Sequence, residues 1–266
     1  MTDNDGPILR GKRFREESVF TPDALLRESR RQKGLAAAEV PPVCLLDPDG
    51  DILAQLQSDG AASKDGNWAC YHTDLFRIRG ESLDFGVIAR VIGASFAVLV
   101  AEELFASGCQ LLVSISSAGQ ITPAGQPPYF VVIEKALRDE GTSYHYLPAS
   151  PFSQMNPLLL SRLKASLLGP ASPILLGATW TTDAPFRETA AEIEQYRSMG
   201  LLAVEMEAAA LYAFAQARGK NVVCAAYVTN SMGTTEGDFE KGHANGARAS
   251  LDLFLKVAAA CAAGAK

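Results

Sequence analysis

From residue 43 onward the chain is built of short runs that are apolar at consecutive positions, and between them stand segments rich in Ala, Leu and Glu. This alternation is the strongest constraint on the fold. A strand apolar at every position has both faces covered, and an intervening helix supplies that cover. The runs fall at residues 43–46, 75–78, 85–89, 111–115, 130–133, 174–176 and 222–228. Helices are expected over 94–107 and 208–218, each stopped by a left-handed glycine, Gly108 and Gly219. Upstream, Thr21-Pro22-Asp23 reads as a capped helix start, and the Ala-rich tail after Leu251 reads as a closing amphipathic helix. The pattern predicts an α/β fold.

With 48% hydrophobic and 20% charged residues, the 266-residue chain can bury one sizeable core. No mid-chain run of Pro, Gly, Ser or like charge reads as a linker. Residues 1–20 are therefore expected to be a loosely held polar segment, and 21–266 a single domain. The net charge of -6 excludes an extended nucleic-acid groove, which needs clustered cations, and points to small-molecule partners. The basic stretches at 10–15 and 27–33 read as solvated faces.

Cys44, Cys70, Cys109, Cys224 and Cys261 form no CxxC pair, and several stand in apolar runs, as buried reduced thiols do. The N-terminus has no apolar h-region, and no run of about 18 apolar residues occurs. A cytoplasmic protein with no membrane contact is expected. The three histidines join no cluster with metal-ligand spacing, so no bound metal is expected.

In open α/β sheets ligands sit at the carboxyl ends of strands. Three Ser/Thr/Gly-rich stretches have that position: Ile115-Ser116-Ser117-Ala118-Gly119-Gln120, Gly177-Ala178-Thr179-Trp180-Thr181-Thr182-Asp183 and Tyr227-Val228-Thr229-Asn230-Ser231. The sharpest motif is Val204-Glu205-Met206-Glu207-Ala208-Ala209-Ala210, two acids flanking a Met where an apolar strand gives way to a helix. Helix-dipole stabilisation alone could account for Glu207, and core packing for Met206. Alternatively, a carboxylate there could accept both vicinal hydroxyls of a sugar while Met packs on the ring.

This stretch resembles the nucleoside phosphorylase family, especially its uridine phosphorylase-like branch. The same likeness runs through Ser116-Ser117-Ala118-Gly119, Arg138-Asp139-Glu140-Gly141-Thr142-Ser143-Tyr144-His145-Tyr146 and Thr181-Thr182-Asp183-Ala184-Pro185-Phe186-Arg187-Glu188. The resemblance implies a mixed central β-sheet flanked by helices. It implies phosphorolysis of a nucleoside, read here as a pyrimidine nucleoside, with phosphate as co-substrate and no other cofactor. It also implies a homo-oligomer, dimer or hexamer.

Residue by residue, Glu207 would hold the ribose 2′- and 3′-hydroxyls, Met206 would support the sugar, and Glu205 would order the strand end. Ser117 would contact phosphate or sugar, with Ala118 and Gly119 lining the base pocket. Arg187 would bond the base between walls formed by Trp180 and Phe186, Trp180 reading equally well as a half-buried packing residue. Asn230 stands where purine-specific relatives place an Asp acid. An amide can bridge a base's carbonyl and N–H but cannot donate a catalytic proton as a carboxylic acid does. His72 lies in a segment that in relatives approaches the neighbouring subunit's site, though a surface or core role is equally compatible with a lone histidine. The catalytic set implied is thus Glu207, Arg187 and Asn230.

The chain departs from the family where phosphate should bind. Relatives carry Gly-Asp-Pro followed shortly by Arg after the first strand, and a second Arg before the Ser/Thr-Gly loop; here Leu46, Gly50 and Ser114 occupy those places. Arg90 or Arg77 is the expected replacement, Arg90 standing in the loop that borders the site. Two other readings follow from that gap: a nucleosidase that uses water, and a nucleoside binder without turnover. A dinucleotide-dependent oxidoreductase is disfavoured because no strand-turn-helix GxGxxG occurs.

Overall fold

Thr21 opens the first helix by accepting a hydrogen bond on its side chain from the Ala24 N–H at 3.2 Å, with Pro22 in the first turn. That helix, α1 (Pro22–Lys33), ends at left-handed Gly34. The computed structural model describes residues 6–167, 174–232, 238–239 and 241–262. Residues 6–20 run in exposed turns and bends, and Lys12 reaches His145 Nδ1 at 2.9 Å.

The sheet begins with β1 (Val43–Asp47), followed by α2 (Asp51–Ser58), β2 (Ala62–Lys64), β3 (Phe76–Ile78) and β4 (Phe85–Ala89). Next come α3 (Ala94–Ala106), β5 (Leu111–Gln120), β6 (Tyr129–Asp139), β7 (Phe152–Gln154) and α4 (Pro157–Leu167). The last elements are β8 (Ile174–Thr182), α5 (Ala190–Ser198), β9 (Leu201–Glu205), α6 (Ala208–Arg218), β10 (Asn221–Asn230) and α7 (Ala247–Ala262).

These strands form one mixed sheet in the order β10-β6-β8-β9-β5-β1-β4-β3-β2, with β7 on β6. β4, β1, β5 and β10 run parallel, and β6, β8 and β9 run parallel to one another in the opposite sense. The two groups meet antiparallel at β5–β9 and at β10–β6. Because β10 also pairs β5, strands β5, β10, β6, β8 and β9 close into a ring. Helices α3 and α6 pack together on one side, while α2, α4 and α7 pack on the other. The single α/β domain and its mixed sheet follow the expected architecture.

Several strands outrun their apolar cores. β5 continues through Ser116, Ser117 and Gly119 because that half pairs with β10 and, at its tip, β9; its partners, not its own hydrophobicity, hold it extended. α6 begins at the expected residue, and Ala208 through Ala215 are all buried, small side chains allowing close approach to the sheet. α5 was not foreseen. Its nine residues bury none of their side chains, and it is held at its start by a capping box between Thr189 and Glu192, so it carries no apolar stripe to read.

Candidate active site

At the end of β9, Glu205 is 97% shielded from solvent and accepts four hydrogen bonds. Its Oε2 takes the N–H groups of Glu207 (2.8 Å) and Ala208 (2.7 Å), and its Oε1 takes the hydroxyls of Thr179 (3.1 Å) and Thr181 (2.5 Å). Thr181 Oγ1 also accepts from the Ala209 N–H at 2.9 Å. The free N–H groups at the start of α6 are thereby satisfied, which is the cap every helix N-terminus requires. Glu205 and Thr181 perform the capping, and this releases Glu207.

Glu207 is equally buried, and its Oε1 accepts the Gly93 N–H at 2.7 Å, at the start of α3. The N-terminus of α3 thus points at this carboxyl group, while α6 begins at Glu207 itself and gives its first N–H groups to Glu205 and Thr181. Burial pushes its pKa up to about 8, reinforced by the charge of Glu205 and opposed by the hydrogen bonds from Gly93 and Ser116. A group so held is near its protonation midpoint at neutral to mildly basic pH and ready to accept donors from a ligand. Met206, half-buried, separates the two acids.

The opposite wall is the turn after β1. Asp47 is buried, and its carboxylate accepts the N–H groups of Gly50 (3.0 Å) and Leu53 (2.9 Å). Burial raises its pKa to about 6 despite those bonds, with the charges of Asp49 and Asp51 adding to the rise. Asp49 reaches across to β5: its carboxylate accepts both the Ser117 N–H and the Ser117 hydroxyl, each at 2.7 Å. Lys241 approaches Asp49 at 3.4 Å and Asp51 at 2.8 Å. Asp49 and Lys241 carried no functional expectation from the sequence, and Ser116 only as one member of a strand-end stretch. The density of acids in Asp47-Pro48-Asp49-Gly50-Asp51 was the available signal, whereas Lys241 lies far along the chain and had none.

Arg90 ends β4 with φ of 61°, a left-handed conformation that costs a non-glycine residue roughly 1 kcal/mol. Its N–H donates to the Asp47 carbonyl at 2.9 Å, and its side chain lies over Gly50, where an added Cβ would stand 3.1 Å from Arg90 Cγ. The exposed guanidinium therefore borders the acidic turn. Arg77 does not: it pairs with Asp65 at 2.6 Å and donates to the Glu39 carbonyl, at the β2–β3 edge.

At the tip of β5, Ala118 and Gly119 are buried, and a Cβ on Gly119 would force the Met232 side chain to move. Asn230, aligned with Gly119, donates through Nδ2 to Thr229 Oγ1 at 3.1 Å and to the Ala118 carbonyl at 3.5 Å, and accepts the Met232 N–H at 2.9 Å. Its amide is already oriented.

Arg187 and Phe186 stand on a 3-10 turn, Pro185–Arg187, beyond β8; the Phe186 side chain is 99% exposed. Trp180 lies elsewhere. It is 2% exposed in a small core with Ile121, Leu137, Leu201 and Val204, its Nε1 donating to Asp139 at 3.0 Å and its ring packed on Tyr196. The expected stacking wall at Trp180 is thus corrected: core packing and the Asp139 bond consume the indole, leaving it no open face. Glu188, next to Arg187 and missed from the sequence, has its pKa raised to about 7 by burial alone.

His72 is exposed, its N–H donating to Cys70 Sγ, and it faces Glu103, about 15 Å along α3 from Gly93 by helix rise. The chain's own fold does not bring it to Glu207. A cavity of about 680 Å³ is also remote from these residues; it lies among Phe20, Leu99, Glu102, Tyr146 and Arg218. Perturbed acids, helix N-termini and strand ends coincide at the carboxylate cluster. Among the described residues no helix is long and apolar enough to cross a membrane.

An acid-rich pocket at the junction of two opposed strand groups, with a shielded carboxylate at the N-terminus of α3, defines the class of α/β small-molecule sites at strand ends. More particularly, the chain belongs to the phosphorylase superfamily, whose family model matches residues 79–262. Over 181 residues it is 25% identical to guanosine phosphorylase of Halorubrum lacusprofundi, covering 66% of this chain and 70% of that one. Of three curated relatives that it matches, this chain spans 49%, 60% and 70% of their own lengths. Among solved structures, uridine phosphorylase from Vibrio fischeri ES114 superposes with a TM-score of 0.71 at 19% identity, covering 86% of this chain and 98% of that one. AMP nucleosidase from Bacteroides thetaiotaomicron superposes at 0.69 with 17% identity, covering 90% and 96%. At these identities the structural likeness speaks to the fold.

Proposed function

We propose that this protein breaks the N-glycosidic bond of a nucleoside, with Glu207 holding the sugar. The observation that carries the reading is the Glu207 carboxyl group: it is buried, excused from helix capping by Glu205, and accepts the Gly93 N–H at 2.7 Å. A carboxylate in such a setting gains most from vicinal hydroxyl donors, which replace the water it lacks. Met206 packs beside the sugar, Ala118 and Gly119 line the base, and Arg187 with Asn230 stabilises the charge that builds on the departing base. Asn230 in place of an acid favours a pyrimidine, whose carbonyl and N–H an amide can bridge. The purine-type name of the relative from Halorubrum lacusprofundi makes guanosine the first competitor to include.

The test is chromatography for free base after incubation with purine and pyrimidine nucleosides. Release from a pyrimidine nucleoside, lost in Glu207→Gln, is the expected result. Binding without release across the whole panel would instead make the protein a nucleoside sensor. We also propose a homo-oligomer, dimer or hexamer, because exposed His72 lies apart from its own chain's site where a neighbour's can reach it, and a cytoplasmic location, which the five buried free cysteines suit. Sedimentation at micromolar concentration should show more than a monomer.

A further inference from the structure

We propose that the nucleophile at this site is water, activated by Asp49, so that the bond is hydrolysed and phosphate takes no part. The inference rests on the nucleoside reading above and assigns its second substrate. A nucleophile must enter beside the sugar that Glu207 holds, along the wall made by Ser117 and the turn after β1. On that wall the donors suited to an anion are Ser117 N–H and Ser117 Oγ–H. Both already point at the Asp49 carboxylate, at 2.7 Å each.

The charges agree with this. Asp47, Asp49 and Asp51 lie together in the turn, and Lys241 is shared between Asp49 and Asp51 at 3.4 and 2.8 Å, with Asn245 also donating to Asp51 at 3.0 Å. Arg90 is the further cation at the rim. A phosphate dianion arriving here would have to expel one carboxylate from its hydrogen bonds and sit against two others, and like charges at such range are strongly unfavourable. Water meets no such barrier. Beside Asp49, Ser116 and Ser117 lies a small, partly open cavity of about 10 Å³, lined also by Asp47, Tyr227 and Lys241, the space of about one water molecule and much less than a phosphate requires.

A carboxylate offers about four acceptor positions. Asp49 spends two on Ser117 and one towards Lys241, leaving one for a water proton. In the reaction the water oxygen bonds to C1′ as the C1′–N bond breaks, its electron pair leaving with the base. One water proton passes to Asp49, and the base takes a proton from solvent. Asp49 then returns its proton to solvent, so nucleoside and water give free base and free pentose. Ser117 is the positioning residue that aims the carboxylate.

The experiment incubates the full chain with the nucleoside panel in phosphate-free buffer and in buffer containing inorganic phosphate. Base release, reducing sugar and the phosphorus resonance of any pentose 1-phosphate are followed together. Equal rates in both buffers, with reducing sugar and no sugar phosphate, are expected. Asp49→Asn keeps the shape and should lower kcat by about 100-fold or more, the usual worth of a general base, with KM little changed. Ser117→Ala should give a smaller fall in kcat. Melting temperatures of both variants establish that they fold, and inorganic phosphate should leave that of the wild type unmoved. Release that requires phosphate and yields pentose 1-phosphate overturns the proposal, as does saturable stabilisation by phosphate or an unchanged kcat in folded Asp49→Asn. Release in neither buffer overturns the nucleoside reading itself, and this inference with it, an outcome distinct from phosphate dependence.

Discussion

The sugar side and the base side of the site are built in opposite ways. Glu205 and Glu207 are locked between β9, α3 and α6, with every hydrogen bond of Glu205 supplied by backbone or buried threonines. Phe186 and Arg187 stand on an exposed turn that donates nothing to the core. If the site holds a nucleoside as proposed, the contrast teaches that what is common to all nucleosides, the pentose, is read by the framework. What differs among them, the base, is read by a segment that can change without cost to folding.

The largest effect expected from breaking this contrast is at Glu205. Glu205→Ala strands two buried N–H groups and two hydroxyls, each unsatisfied group costing about 1–3 kcal/mol. Denaturant unfolding should show a loss above about 3 kcal/mol, with activity falling alongside.

Glu207→Gln comes next, removing charge-assisted bonds worth about 1.5–3 kcal/mol, or roughly a ten- to hundredfold loss in kcat/KM at pH 8. Its stability should move the other way. The Glu207 pKa is raised from 4.5 to about 8, so the folded state holds the proton more tightly, and the wild type loses stability as pH climbs through that window. Melting curves should therefore show Glu207→Gln gaining on the wild type between about pH 4.5 and 8. A constant offset across that range would sink the assignment.

The smallest effects belong to the base side. Phe186→Ala and Arg187→Ala should leave stability within about 0.5 kcal/mol, as exposed substitutions do. Arg187→Ala should raise KM severalfold and blur discrimination between bases, and Phe186→Ala should do so less. An equal loss for every nucleoside in Arg187→Ala would place that residue on the sugar or the nucleophile instead.

The same contrast governs what the sequence made legible. Strands β1, β4 and β10 and helices α3 and α6 were readable because burial writes itself as apolar runs. β2, β7 and α5 were not, being short or exposed and fixed by partners distant in the chain. In the site, Glu205 and Glu207 stand out as acids interrupting an apolar strand, but the motif is silent on which one caps the helix. That depends on Thr179 and Thr181, 24 or more residues away. Trp180 looked like a wall because indoles often are; its burial is set by Tyr196 and Asp139, on other elements. The Asp49–Ser117 contact, 68 residues apart, is a product of the β1–β5 register and no local pattern could announce it.

The crossing of Arg90 over Gly50 makes those two positions one unit of inheritance. A side chain at 50 would strike the arginine stem, and the strained backbone at 90 leaves that stem little choice of path. In descendants of this chain, cationic charge at the mouth of the turn can therefore migrate from position 90 to position 50 only if the two sites mutate together. Each single step, a gain at 50 or a loss at 90, passes through a molecule with either a crowded left-handed turn or an acidic rim left to Lys241.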